Sequence, residues 1–302
     1  MALAIGQTAQ QTSGTDALAR ARQRAALVPD LLVEATRIAN TVTAGWHGRR
    51  RRGSGDTFWQ FRPYDKSEGT GRIDWRRSAR DDAITVRDQE WEAAHTAWIW
   101  ADNSASMLYR SETADVSKQS RALVLALALA EILARSGERV GWPGLTRALS
   151  SRNAAERIAQ ELASSDIDDS AFPGTDGIRG RSELIVVSDF LEPVADLLAR
   201  IDDVARTQVR GTLVHVIDPA ETEFPFTGRT EFSDPETGNR LTFGRAETLR
   251  NDYRTAFAAR NAAMADHCRR IGWHYVAHRT DQLASSALVA VHTRLADGGL
   301  VA

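Results

Sequence analysis

Two runs of apolar residues end in a carboxylate. Trp98-Ile99-Trp100-Ala101 leads into Asp102, and Leu184-Ile185-Val186-Val187 leads through Ser188 into Asp189. Short continuous apolar runs read as strands buried on both faces, the pattern of a parallel sheet. Helical patterns follow each one. The spacing predicts a helix over 117–136 with Leu123, Leu127, Ala130, Leu133 and Ala134 on one face and Gly137 as its C-terminal cap. Further along it predicts a strand at 138–142, a turn at Pro143-Gly144 and an antiparallel return at Leu145–Leu149. A helix over 153–163, the strand at Leu184, a helix over 194–207 and a strand over 211–217 come next. The last of these runs ends in Asp218-Pro219. A β-hairpin insertion at about 222–244, a helix over 245–271, a strand at 273–277 and a helix over 282–295 complete the pattern. Alternation of strand and helix predicts an α/β fold: an open, mostly parallel sheet of Rossmann type flanked by helices.

The first third reads differently. Residues 1–15 are polar and are expected to be disordered. Over 16–43 a stripe of Val28, Leu31, Ala35, Ile38 and Val42 recurs at helical spacing, with Pro29 expected to mark a break. Residues 57–91 are dense in aromatics and arginines, with short strands expected at Thr57–Phe61 and Ala83–Arg87. The expected organisation is an N-terminal helix plus a small β-rich module over 16–92, then the α/β domain over 93–302. Within the module, Tyr64 and Trp75 are expected as core anchors. Asp74 is expected to join an ion-pair network with Arg62 and Arg80.

Composition narrows the class. The chain has 302 residues, 42% hydrophobic and 26% charged, as ordinary globular proteins do. A net charge of −2 gives no global attraction to nucleic acid. The four arginines Arg49–Arg52 stand without a second basic cluster, so an acidic protein surface suits them better than DNA. A single cysteine, Cys268, fits a core position and a reducing cytoplasm. No apolar run approaches the ~20 residues that span a bilayer. No Walker loop, nucleophile elbow or Cys-x-x-Cys pair is present, so the expectation is a protein without catalytic residues.

Candidate chemistry gathers at Asp102. One carboxylate and two hydroxyls, Asp102, Ser104 and Ser106, stand at i, i+2 and i+4 in a loop. All three are hard oxygen donors that suit Mg²⁺ or another divalent cation, whose remaining charge would draw a partner's carboxylate. The alternative is an aspartate capping the next turn beside two loop serines. The stretch resembles the metal-ion-dependent adhesion site of von Willebrand factor A domains. Together with Arg62-x-Tyr64 and Ile73-Asp74-Trp75-x-x-Ser78-Ala79-Arg80, it resembles the DUF58 family of bacterial proteins. This chain departs from that signature at Ser67-Glu68 and at Gly71-Arg72. The resemblance implies a von Willebrand A-like fold with a hairpin at the sheet edge, and a second acid, Asp189, holding the ion through water. It also implies a threonine ligand, for which Thr175 in Gly174-Thr175-Asp176 is the nearest match. It implies as well a chaperone-like adaptor working with a MoxR-type AAA+ ATPase. Arg62, Tyr64, Asp74, Trp75 and Arg80 would then mark a signature or partner surface. Two other readings remain open: a metal-dependent hydrolase using Asp102 and Asp189, and a nucleic-acid binder acting through Arg49–Arg52.

Overall fold

A computed structural model describes residues 14–46, 58–64, 73–80, 84–89, 95–165, 170–180 and 182–297. The expectations for residues 1–13 and for Arg49–Arg52 lie outside the described residues. The chain divides into two compact units, Arg49–Ala94 and the rest.

The larger unit is built on five parallel strands: β3 (Thr96–Ala101), β4 (Arg139–Gly141), β5 (Ser182–Ser188), β6 (Arg210–Ile217) and β9 (His274–Arg279). Their order across the sheet is β4-β3-β5-β6-β9. Every residue of β5 is buried, as a strand covered on both faces must be. The predicted return at Leu145–Leu149 is reduced to a single antiparallel bridge between Val140 and Leu149. Pro143-Gly144 turns the chain, but Trp142 N–H is taken by the Thr146 hydroxyl, which ends the ladder there.

Helix α3 (Lys118–Arg135) starts at Ser117, whose side chain accepts the Ser120 N–H. Sequence suggests one apolar face. In the structure Leu123 through Ala130 are all buried. The reason is a second layer. The sheet covers one side of α3, and α1 (Gly14–Trp46) and α4 (Ala154–Ser164) pack against it as well. The predicted stripe of α1 is the contact: Val28, Leu31, Ala35 and Val42 are buried, Ile38 packs half-buried against the same core, and Ala39 joins them fully buried. Pro29 does not break α1. It sits exposed inside a continuous helix. Thus α1, grouped with the module by sequence pattern, belongs to the α/β unit. Helices α5 (Val194–Ala205) and α7 (Arg250–Ile271) pack on each other, and α8 (Ala284–Asp297) joins α1 and α3. Cys268 is fully buried in the core, and burial pushes its thiol up to about 12.

A short helix, α6 (Pro219–Glu223), went unpredicted. Asp218 and Glu221 form a complete capping box around it. It leads into the hairpin β7 (Thr230–Ser233) and β8 (Arg240–Phe243). An aromatic cluster of Phe224, Phe226, Phe232, Phe243 and Tyr253 fixes the root of that hairpin, with Tyr109 packed beside it.

The smaller unit pairs β1 (Phe58–Pro63) with β2 (Thr85–Gln89), antiparallel. A single helical turn, α2 (Trp75–Ser78), precedes β2. The signature residues converge on the start of β2. Tyr64 N–H donates to Ile84 O, Asp74 N–H donates to Thr85 O, and the Ser78 hydroxyl accepts Thr85 N–H. Trp75, expected as a core anchor, is 63% exposed because a single helical turn presents it outward. Arg80 is also exposed and Tyr64 half-buried, while the Arg62 side chain lies outside the described set.

Candidate functional site

In the larger unit, the chain leaves β3, adds β4 on one side, then crosses to the other side for β5. The carboxyl ends of β3 and β5 therefore flank the point where the winding reverses, which is where open α/β sheets bind ligands. Asp102 and Asp189 are the residues immediately after those strands. Parallel pairing of Ala101 with Val187 sets Asp102 level with Ser188, one residue before Asp189.

Asp102 is 1% exposed. Its Oδ1 accepts the Ser104 N–H at 2.7 Å, and its Oδ2 accepts the Ser188 hydroxyl at 2.6 Å. The hydroxyls of Ser104 and Ser106 lie 3.1 Å apart, both buried. The predicted trio is thus gathered in one loop, which continues into a 3-10 turn over Ala105–Leu108. Burial, and then the neighbouring Asp189 carboxylate, push the Asp102 carboxyl up to about 7, against the hydrogen bonds from Ser188 and Ser104. Both of its hydrogen-bond donors are neutral.

Asp189 is tied differently. The Lys118 ammonium donates to its Oδ2 at 2.7 Å and to Glu221 Oε1 at 2.8 Å. Lys118 is 1% exposed and lies 5.7 Å from the Tyr109 ring centroid. Burial alone would lower its pKa, but Asp189 and Glu221 more than offset this and hold it charged. Burial raises the Glu221 carboxyl despite that lysine. Glu221 Oε2 accepts Asp218 N–H, and Asp218 Oδ2 accepts Ser111 N–H. Three neighbouring strands, β3, β5 and β6, each end in a buried aspartate. Phe190, directly after Asp189, takes a left-handed backbone with φ 47°, a conformation rare for a non-glycine residue. Beneath it, His215 Nδ1 meets the Tyr275 hydroxyl at 2.7 Å, and burial lowers the imidazole to about 3, keeping it neutral.

One further acid reaches the loop from outside. Glu236, in the turn of the β7–β8 hairpin, accepts the Ser106 N–H at 2.9 Å. Thr175 does not join the cluster by any described hydrogen bond. Its carbonyl accepts Ile178 N–H in a turn that leads into the opposite, amino end of β5.

Among the described residues no three His, Cys, Asp or Glu side chains form a metal-holding group. The available donor set is mixed: one carboxylate and two hydroxyls, with a second carboxylate beside them. A buried carboxylate raised by its own burial and by a neighbouring acid fits a cation, because a cation supplies the charge that neutral donors cannot.

Lys118, Ser188, Glu221 and Glu236 escape sequence reasoning. Lys118 lies 71 residues from Asp189 and 103 from Glu221. Near the start of the helix expected over 117–136, Lys118 carries no local signal of burial. Only the strand-end position of Asp218 beside Pro219 hinted at a third acid.

An open parallel α/β sheet with acids and hydroxyls gathered at its reversal point defines the class, a Rossmann-like domain with a polar site at the strand ends. The chain belongs to the family described as Protein of unknown function DUF58, which matches residues 60–263. The uncharacterized protein Rv1480 of Mycobacterium tuberculosis is 26% identical over 246 residues, covering 76% of each chain. The uncharacterized protein MAV169 of Mycobacterium avium is 33% identical over 104 residues, covering 34% of this chain and 60% of its own length. Among solved structures, an aerotolerance-related membrane protein from Bacteroides fragilis aligns with TM-score 0.40 at 17% identity, over 68% of this chain and all of that one. The conserved hypothetical protein BatB from Bacteroides thetaiotaomicron aligns with TM-score 0.38 at 16% identity, over 68% of this chain and 99% of that one. No described helix is long and apolar enough to cross a membrane.

Proposed function

We propose that this chain is a non-catalytic, cytoplasmic protein-binding adaptor. Its Asp102 loop holds Mg²⁺, or a similar hard divalent cation, through Asp102, Ser104 and Ser106, with Asp189 acting through water. The ion then takes a carboxylate from a protein partner, in the manner of the von Willebrand A-type adhesion site that the loop resembles. The observation that carries this reading is the Asp102 carboxylate. It is buried beside a second acid, it is hydrogen-bonded only by neutral groups, and it lies against two hydroxyls. The resemblance of the sequence to its family adds a MoxR-type AAA+ ATPase as the partner and chaperone-like maturation of a complex as the task.

Lys118 favours a second reading. Its ammonium already pairs with both Asp189 and Glu221, so the loop can act as a metal-free polar docking site. One experiment separates the two. The tagged chain and its Asp102→Ala variant are used to retain partners from native lysate, with Mg²⁺ or with chelator. The adaptor reading expects a partner held by the unmodified chain in Mg²⁺, with at least ~10-fold less in chelator or with Asp102→Ala, a loss on the order of 1.4 kcal/mol. Retention that ignores chelator but needs Asp102 supports the metal-free site. Retention that ignores both rejects the loop as the contact. Circular dichroism of the variant should match the unmodified chain.

A further inference from the structure

The β7–β8 turn reaches across the fold to the candidate site. Glu236 lies 130 residues from Ser106 in sequence, yet its carboxylate accepts the Ser106 N–H at 2.9 Å. The turn that carries it is built tightly. Asp234 Oδ1 accepts Glu236 N–H at 2.9 Å, the Thr237 hydroxyl donates to Asp234 Oδ2 at 2.7 Å, and Gly238 closes the turn with φ 72°. The hairpin root is held by the Phe224 and Phe232 aromatic packing, so the turn is aimed rather than free to wander. Glu236 itself stays exposed, so solvent and other molecules can reach it. Its carboxylate takes a backbone N–H in the first turn of the Ala105–Leu108 3-10 helix, on the same loop that carries Asp102, Ser104 and the Ser106 hydroxyl.

We propose that Glu236 is a built-in occupant of the partner's place: the hairpin turn holds the site closed until an acidic turn on the partner displaces it. The inference rests on the reading of the Asp102 loop as a carboxylate-taking site, and it specifies that ligand as a glutamate or aspartate presented on a tight turn. Because the hairpin is tethered, its local concentration at the loop is high, and a free ligand competes at a disadvantage. Glu236→Gln removes the charge while its amide oxygen can still accept the Ser106 N–H, so a gain in binding reports the carboxylate's charge alone.

The test uses the full chain, its Glu236→Gln variant and a double variant that adds Asp102→Asn. The probe is a fluorescent peptide copying residues 230–243, with a control peptide carrying Gln at the Glu236 position. Fluorescence polarisation in Mg²⁺ should give binding at least ~10-fold tighter for Glu236→Gln than for the unmodified chain. The control peptide should fail to bind, and the double variant should lose the gain. Equal binding by the unmodified chain and Glu236→Gln, or binding by neither, overturns the latch. Mn²⁺ binding followed by electron paramagnetic resonance on the same proteins separates the two failures. Ion bound by the unmodified chain and lost with Asp102→Asn, without a peptide gain in Glu236→Gln, rejects the latch alone. No ion bound at all rejects the underlying metal site with it.

Discussion

Glu183 is buried in β5 with little to balance its charge. It is 3% exposed, its Oε1 accepts the Thr212 hydroxyl at 3.1 Å, and the exposed Arg210 stands 3.7 Å from its Oε2. Burial dominates, and the carboxyl is raised to about 7, with Thr212 and Arg210 pulling the other way. The folded chain holds this proton more tightly than the unfolded chain, so folding is favoured below the ordinary glutamate range. That contribution is lost as pH rises from about 4.5 to about 7. The full swing is at most about 3 kcal/mol. Glu183→Gln keeps an acceptor for Thr212 and cannot ionise. Its unfolding free energy should therefore exceed that of the unmodified chain at pH 8, with the gap closing toward pH 5. Denaturant titrations at both pH values measure the gap, and parallel curves would show that Glu183 stays ionised throughout.

The elements of the sheet depend on two close approaches of tryptophan to glycine. A Cβ built on Gly211 in β6 would lie 2.4 Å from Trp273 ring atoms, and one on Gly141 in β4 would lie 2.7 Å from the Trp98 ring and 3.0 Å from the Ala148 backbone. Trp273 is held there by its indole N–H, which donates to Val209 O at 3.1 Å. Gly211→Ala should therefore destabilise the chain by about 1–3 kcal/mol, the usual cost of overpacking. Gly174→Ala meets nothing within 4 Å and should leave the denaturation midpoint unchanged. Similar midpoints for the two variants would mean that Trp273 has room to withdraw. Such contacts are invisible in sequence, whereas the strands themselves were legible. The runs at Ala97–Ala101 and Leu184–Val187 are apolar throughout because the sheet is covered on both faces, and Ser117 and Gly137 bracket α3 as local signals. The misreadings came where tertiary packing overrode a local cue. Pro29 is tolerated in α1 because it lies on the exposed side of a helix pinned by Val28, Leu31 and Ala35. The all-round burial of α3 required knowing that α1 would cover it. Helix α6 is five residues long, too short for periodicity to register.

For the molecule as a whole, half of the candidate site could be read along the chain and half could not. Asp102, Ser104 and Ser106 share one loop, so spacing found them. Lys118, Ser188, Glu221 and Glu236 come from separate elements and meet only through the winding of the sheet. Among the described residues, this assembly leaves Asp102 with neutral hydrogen-bond donors and a second acid beside it. The consequence appears in global stability. An ion that binds only the folded chain adds about 2.7 kcal/mol at 100 times its Kd. For a chain of this size that is a rise in melting temperature of roughly 4 °C. Asp102→Asn should behave in the opposite way on both counts. In chelator at pH 8 it removes a buried ionised carboxylate while keeping its shape, so it should melt above the unmodified chain. On adding Mg²⁺ it should show no rise, and the order of the two melting temperatures should reverse. Differential scanning calorimetry with and without Mg²⁺ measures all four values. If the unmodified chain gains nothing from Mg²⁺ while Asp102→Asn still melts higher, the acid at the end of β3 serves a contact that needs no ion.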